Sequence, residues 1–258
     1  MKQRIITAIV MTIVFVPFIL LGGYYLKVGM TLLSIMAIKE LWDLKKDHKE
    51  YPLLIKMFSI IGLLIMFFFN NSTNGISYVS LILTMMLLFL PSIFYKDKYS
   101  TKDAVYLLGY VIFLGIGFNT FSLVRNQSLW ILIYLILVST LNEIFALFTG
   151  MLFGKHKLIP SVSPNKTVEG VIGGLCVGSL LSIIYYNFVI GQVSWMVILM
   201  TFILGIVGQL GDLLFSKIKR ENGIKDFSNL MPGHGGILDR FDSIIWVVLL
   251  YLVCSLII

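Results

Sequence analysis

Charge is scarce in this 258-residue chain. Asp, Glu, Lys and Arg make up 13% of it and hydrophobic residues 58%, whereas ordinary soluble domains carry roughly 25% charged residues. Too little polar surface remains to coat a water-soluble globule. The composition therefore defines an all-α, polytopic integral membrane protein, the helix being the element that satisfies its own backbone groups in lipid. Cysteine is nearly absent: Cys176 and Cys254 lie inside apolar runs, which argues against a disulfide framework or a thiolate metal site and makes both packing residues. His156 and His234 have no partner at metal-ligand spacing, so zinc is not expected. No long Pro-, Ser- or charge-rich linker interrupts the chain. Residues 1–258 thus read as a single transmembrane domain, with N-terminal helices in 1–125 and the chemistry-bearing helices and loops in 126–258.

Apolar runs long enough to cross a bilayer, about 17 to 25 residues when helical, fall near 5–22, 28–44, 54–70, 76–94, 104–121, 129–149, 170–189, 194–214 and 242–258. They predict about nine transmembrane helices. Lys2 and Arg4 ahead of the first run imitate a secretion signal, but the Gly22-Gly23-Tyr24-Tyr25 exit lacks a small-x-small cleavage pattern, so the run reads as a retained helix. The net charge of +7 is informative by position. Lys45, Lys46 and Lys49 mark one loop, Lys96, Lys98 and Lys102 another, and 70–75 carries no charge. The positive-inside rule makes the two basic loops cytoplasmic and the uncharged one external. Carried along the chain, the alternation puts 154–169 and 216–241 inside, 187–194 outside, the N-terminus in the cytoplasm and the C-terminus outside. It also brings Glu143, Lys166, Thr167, Glu169, Asp212, Asp239 and Asp242 to one depth near the inner interface. Ionisable groups there are costly and mark functional sites. A juxtamembrane basic surplus points to anionic lipid or phosphate substrates rather than nucleic acid.

The densest polar segment is 216–243, SKIKRENGIKDFSNLMPGHGGILDRFDS. Just ahead of it, Asp212 shares a helix face with Ser216, and Lys219 continues that face. Asp239 and Asp242 stand three apart at the start of the last run. Asp212 with Ser216, facing the carboxylates of Asp239 and Asp242, suits a hard divalent cation such as Mg2+, which prefers oxygen ligands and keeps substrate phosphates in its shell; for Asp242 the competing reading is a helix N-cap. Gly205, Gly208 and Gly211 recur every three residues, a pattern for close helix packing. The Gly233-His234-Gly235-Gly236 run offers backbone N–H groups to phosphate oxygens, or is simply a turn. A second polar island runs from Gly154-Lys155-His156-Lys157 to Ser163-Pro164-Asn165-Lys166-Thr167. Thr167 is placed as an N-cap with Glu169 in the first turn, and Lys166 just before that helix is placed to address a phosphate.

These two stretches carry a resemblance. Ser216-x-Ile218-Lys219-Arg220-x4-Lys225-Asp226-x-Ser228-x2-Met231-Pro232-x-His234-Gly235-Gly236-x2-Asp239-Arg240-x-Asp242 closely resembles the hallmark segment of the phosphatidate cytidylyltransferases, the CDP-diacylglycerol synthases. The upstream stretch from Gly154 to Gly173-Gly174 resembles the family's second conserved stretch; among the earlier helices only hydropathy and Glu40 do so. The resemblance implies Mg2+-dependent transfer of CMP from CTP to the phosphate of phosphatidate in the inner leaflet of the cytoplasmic membrane, releasing pyrophosphate. It implies a metal site at Asp212, Asp239 and Asp242, with room for a monovalent cation such as K+. Lys219, Arg220, Lys225, Asp226, His234, Asp239, Arg240 and Asp242 are then the expected catalytic set. Ser163, Lys166, Thr167, Ser216, Gly235 and Gly236 are expected to hold the nucleotide and its phosphates. Membrane lipids and a second copy in a homodimer are the remaining partners implied. Three positions depart from the family pattern: Met231 for Leu or Ile, Val168 for a common Trp, and the Glu143 region, where Leu147 replaces a Tyr. The last keeps two other readings open: the same chemistry on an isoprenoid or ether lipid phosphate, or a non-catalytic lipid-binding or transport paralogue.

Overall fold

The computed structural model describes residues 2–44, 50–69, 77–95, 98–231, 233 and 235–257. Lys45, Lys46, Lys49, the uncharged stretch 70–75, Lys96 and His234 lie outside the described residues. Each apolar run of the sequence holds a helix, with a few described residues at the ends of some runs left non-helical. The chain divides into two compact units, Met1–Asn126 with Phe227–Leu238, and Gln127–Asp226 with Asp239–Ile258.

The first unit contains α1 (Lys2–Leu21), α2 (Gly23–Trp42), α3 (Leu53–Phe68), α4 (Tyr78–Phe89, extended by a 3-10 turn over Leu90–Ile93) and most of α5 (Thr101–Gln127). The break between α1 and α2 falls at Gly22, whose φ of 64° suits glycine. Arg125 of α5 closes the end of α1 by donating from Nε to Ile19 O at 2.6 Å and from Nη2 to Leu20 O at 2.8 Å, which satisfies carbonyls that a helix end leaves orphaned. Leu63, Met66 and Phe67 of α3 and Leu107, Val111, Leu114 and Phe118 of α5 are all buried, and a Cβ at Gly115 of α5 would lie 2.7 Å from Met66 Cβ. The segment Phe227–Leu238, expected with the later helices, belongs to this unit. It is bound to Glu40 of α2, which accepts hydrogen bonds from Ser228, Ile237 and Leu238.

The second unit begins with α6 (Leu129–Phe153), started by the Ser128 hydroxyl accepting from Ile131 N. Between α6 and the next helix the polar island forms an antiparallel hairpin, β1 (Lys157–Ile159) and β2 (Ser163–Thr167), with Lys157 opposite Thr167 and Ile159 opposite Ser163. This is a local departure from an all-α reading: Pro164 turns Ser163 toward extended backbone, and the Glu169 carboxylate accepts from Lys155 N and His156 N. Next come α7 (Val168–Gly173), a π-helical stretch over Gly174–Gly178 and α8 (Ser179–Val189), then α9 (Trp195–Glu221), the short α10 (Leu238–Phe241) and α11 (Ile244–Ile257). Glycines let the helix backbones meet. A Cβ at Gly174 or Gly178 would lie within 2.9 Å of Asn142 or Ala146 backbone of α6, and one at Gly208 would lie 2.9 Å from Val247 of α11. The Gly205, Gly208 and Gly211 stripe is thus a packing surface.

Among the described residues, four helical stretches are long and apolar enough to cross a membrane: Thr101–Gln127, Leu129–Phe153, Val168–Val189 and Trp195–Glu221. Shorter apolar helices run over Val10–Leu21, Leu53–Phe68, Tyr78–Ile93 and Ile244–Ser255. The fold is that of an all-α membrane protein. Both cysteines are free; Cys176 is exposed and Cys254 half-buried, so Cys176 points away from the helix contacts that its apolar run suggested.

Candidate active site

The polar residues of the second unit gather where α6, β2, α9 and the α10–α11 junction come together. On α9, Asp212, Ser216 and Lys219 share one face, as 3.6 residues per turn requires. The helix ends in a Schellman arrangement, with Gly223 N donating to Arg220 O at 3.1 Å, Ile224 N to Lys219 O at 3.0 Å, and Gly223 at φ 70°. This stop fixes the last turn that carries Lys219 and Arg220.

Two lysine–carboxylate pairs form the centre. Lys219 Nζ donates to Asp239 Oδ1 at 2.8 Å, and each residue is only 8% exposed. Lys166, at the end of β2, pairs with Asp212 Oδ2 in a partly exposed contact. Ser216 Oγ donates to the other oxygen of Asp212 at 3.5 Å. Asp242, also 8% exposed, lies within electrostatic reach of Asp212, Glu143 and Lys219. Its carboxylate accepts from Ser243 N at 3.0 Å; α11 begins two residues further on, so this contact braces the junction rather than capping the helix from the N-cap position. Glu143 of α6 accepts a short hydrogen bond from Ser243 Oγ, which accepts in turn from Ser139 Oγ at 3.0 Å. Asp212, Lys166 and Arg240 all act on Glu143 electrostatically.

A cavity of about 580 Å3 opens beside the Lys166–Asp212 pair. Glu143, Leu147, Asn165, Thr167 and Gln209 are in its wall. Gln209 donates to Val171 O at 3.3 Å, and its buried Oε1 has no hydrogen-bond partner among the described residues. The cavity is thus lined both by the charged Glu143, Lys166 and Asp212 and by apolar α6 side chains, Ala146, Leu147 and Met151. Such a site can hold an anionic headgroup while sheltering hydrocarbon.

The expected site residues separate into three groups. Lys166, Asp212, Ser216, Lys219, Asp239 and Asp242 gather as described. Thr167 lines the cavity but spends its hydroxyl as the N-cap of α7, accepting from Gly170 N at 3.1 Å. Arg220 is exposed and donates to Val162 O and Ile224 O, both at 3.3 Å, so it ties the hairpin to α9; Ser163 starts β2. Lys225, Asp226 and Arg240 are exposed. The third group lies in the first unit. Gly235 has φ 80° and exchanges backbone hydrogen bonds with Met231, and Gly236 is buried against the Glu40 carboxylate. His234 lies outside the described residues. Asp212, Asp239 and Asp242 do not converge on one point: among the described residues no three His, Cys, Asp or Glu side chains form a ready metal shell. The physical reason is that Asp212 and Asp239 are each drawn to a lysine. Ser139, Gln209 and Ser243 were missed by sequence reasoning. Ser139 is one turn before Glu143 and Gln209 one turn before Asp212, so the helical period offered a signal for both; Ser243 follows Asp242 directly and had none.

Two buried or half-buried lysine–carboxylate pairs among membrane-length helices define an integral membrane protein with a centre suited to polyanions. The chain belongs to the Cytidylyltransferase family, which it matches over residues 2–257. It is similar to proteins named phosphatidate cytidylyltransferase from Staphylococcus haemolyticus (strain JCSC1435), Staphylococcus saprophyticus subsp. saprophyticus and Staphylococcus aureus (strain COL). The identities are 39%, 38% and 37% over 252 residues, and each alignment covers 96% of this chain and 96% of the relative.

Proposed function

We propose that this protein transfers CMP from CTP to phosphatidate, forming CDP-diacylglycerol and pyrophosphate. The observation that carries the reading is the paired Lys166–Asp212 and Lys219–Asp239 centre in a chain that matches the cytidylyltransferase family along its whole length. In the reaction an oxygen of the lipid phosphate bonds to the α-phosphorus of CTP, and the bond from that phosphorus to the bridging oxygen of the β-phosphate breaks. The acceptor is already anionic near neutral pH, so no strong base is needed. The barrier lies in bringing two polyanions together and in stabilising charge on the leaving pyrophosphate. Lys166, on the cavity wall beside Asp212, would neutralise a phosphate. Lys219 holds Asp239 in position.

The donors fit Mg2+ in a particular way. All are carboxylate or hydroxyl oxygens, and Mg2+ is commonly held by one or two carboxylates while waters and substrate phosphates complete its shell. Asp212 with Asp239 or Asp242 would supply the protein ligands, and Ser216 leaves room for a monovalent cation such as K+. Bound Mg2+ would offset charge on the nucleotide phosphates. The topology we favour has about nine spans, a cytoplasmic N-terminus, an external C-terminus and a site open to the cytoplasmic face of the cell membrane. A homodimer is the assembly we favour.

Purified protein given CTP, phosphatidate in mixed micelles and Mg2+ should release pyrophosphate and form a CDP-lipid, and chelation should stop both. Folded protein that makes neither product would overturn the reading. The apolar Leu147, 60% exposed on the cavity wall, favours one competing acceptor class, an isoprenoid or ether lipid phosphate. Turnover of such a lipid well above that of phosphatidate would favour that class.

A further inference from the structure

We propose that Glu40 is a positioning residue for the loop 227–238 and, through the chain, for Asp239; the kinetic consequence rests on the cytidylyltransfer reading above. Glu40 lies in the last turn of α2 and is 4% exposed. A carboxylate is unfavourable at that end of a helix dipole, and a buried carboxylate is costly unless well hydrogen-bonded. The loop supplies the compensation. Glu40 Oε1 accepts from Ser228 Oγ at 2.7 Å and from Ile237 N at 2.8 Å, and Oε2 accepts from Leu238 N at 3.0 Å.

These donors come from both ends of the loop, so one carboxylate closes its neck. Within it, Met231 and Gly235 exchange hydrogen bonds of 3.0 and 3.1 Å, with Gly233 and Gly235 both at φ 80°. The N–H groups at Ile237 and Leu238 are the kind a glycine-rich turn offers to an anion, and here an internal anion takes them. Gly236 seals the arrangement: a Cβ there would lie 2.6 Å from Glu40 Cδ. The residue after Leu238 is Asp239, the carboxylate that Lys219 holds. Glu40 thus fixes the backbone that leads into Asp239 without itself touching substrate.

Glu40→Gln keeps the size and replaces a charged acceptor by an amide that presents an N–H to a backbone N–H. Loss of charge-assisted hydrogen bonds predicts a kcat lowered about tenfold or more, with KM for CTP changed by less than about threefold. Amide hydrogen exchange measured without substrate should quicken in 228–238 and stay unchanged in α3 and α5. Glu40→Asp withdraws the carboxylate by one methylene, so Gly236→Ala should harm activity less in the Glu40→Asp background than in the wild type. Unchanged exchange in 228–238, an unchanged kcat, or an equal Gly236→Ala effect in both backgrounds would each overturn the proposal. Should Glu40→Gln fail to fold, Ser228→Ala, which removes one donor, takes its place with the same exchange criterion. The exchange arm needs no turnover, so a failure of the cytidylyltransfer reading is distinguishable from a failure of the Glu40 role.

Discussion

Lys219 and Asp239 illustrate how a residue pair can matter to fold and to chemistry by different amounts. Both are almost fully buried, and they meet at 2.8 Å. Removing one partner of such a pair strands a buried charge and costs about 3–5 kcal/mol, whereas replacing both by apolar residues of similar volume is often close to neutral. Asp239→Ala and Lys219→Ala should therefore each destabilise the protein by that order in denaturation followed in detergent. The double change Lys219→Met with Asp239→Leu should recover most of the stability. If the pair belongs to the proposed centre, none of the three should recover CMP transfer, for which a loss of about a hundredfold or more is then expected. Recovery of activity along with stability in the double variant would make the pair structural only. The Lys166–Asp212 pair is more exposed, 25% and 21% at the side chains, and solvent screening weakens its structural worth. Lys166→Met should accordingly cost activity while leaving the denaturation midpoint nearly unchanged.

Helices were readable where hydropathy spoke and unreadable where packing decided. The runs near 129–149 and 194–214 became α6 and α9, and α9 continued to Glu221 because Lys217, Lys219 and Arg220 favour the C-terminal end of a helix dipole. The hairpin of β1 and β2 was hidden: its turn is held at Val162 O by Arg220, 58 residues on, and its entry at Lys155 N by Glu169. Membership of 227–238 in the first unit was equally hidden, since it depends on Glu40, nearly two hundred residues upstream, as the separation of 197 for Ile237 makes plain. The acids Asp212, Asp239 and Asp242 stood out because charge is rare in the chain; Ser139 and Ser243 did not, because serines are common in apolar helices. Glycine placement was legible as a pattern but not in its consequences. At Gly174 a Cβ would lie 2.8 Å from Ala146 Cβ and 2.9 Å from its backbone nitrogen, whereas a Cβ at Gly191 would meet nothing within 4 Å among the described residues. Gly174→Ala should lower stability by about 1–3 kcal/mol through overpacking of α6 against the π-helical stretch. Gly191→Ala should stay within about 0.5 kcal/mol. Equal effects in a thermal denaturation series would mean that the two helices can part at no cost.

At the scale of the whole molecule, sidedness decides where substrates arrive. The basic hairpin around Ser161 and the uncharged connection at Gly191 flank one continuous helical path, α7 through α8, whose 22 residues are long and apolar enough to cross a bilayer. If that path spans, the two points face opposite compartments, and the positive-inside rule puts Ser161 in the cytoplasm. Both residues are exposed, which makes them suitable for labelling once Cys176 and Cys254 are replaced by serine. A membrane-impermeant maleimide applied to intact cells should then label Gly191→Cys, and should reach Ser161→Cys only after the membrane is opened. Labelling of Ser161→Cys in intact cells would place the Lys166–Asp212 pair on the outer face, away from cytosolic CTP, and no inner-leaflet mechanism would survive it. Labelling of both from outside would mean that the α7–α8 path re-enters the membrane instead of crossing it. The glycines at 170, 174 and 178, by letting this path lie directly on the α6 backbone, would then serve to bury a half-span against protein.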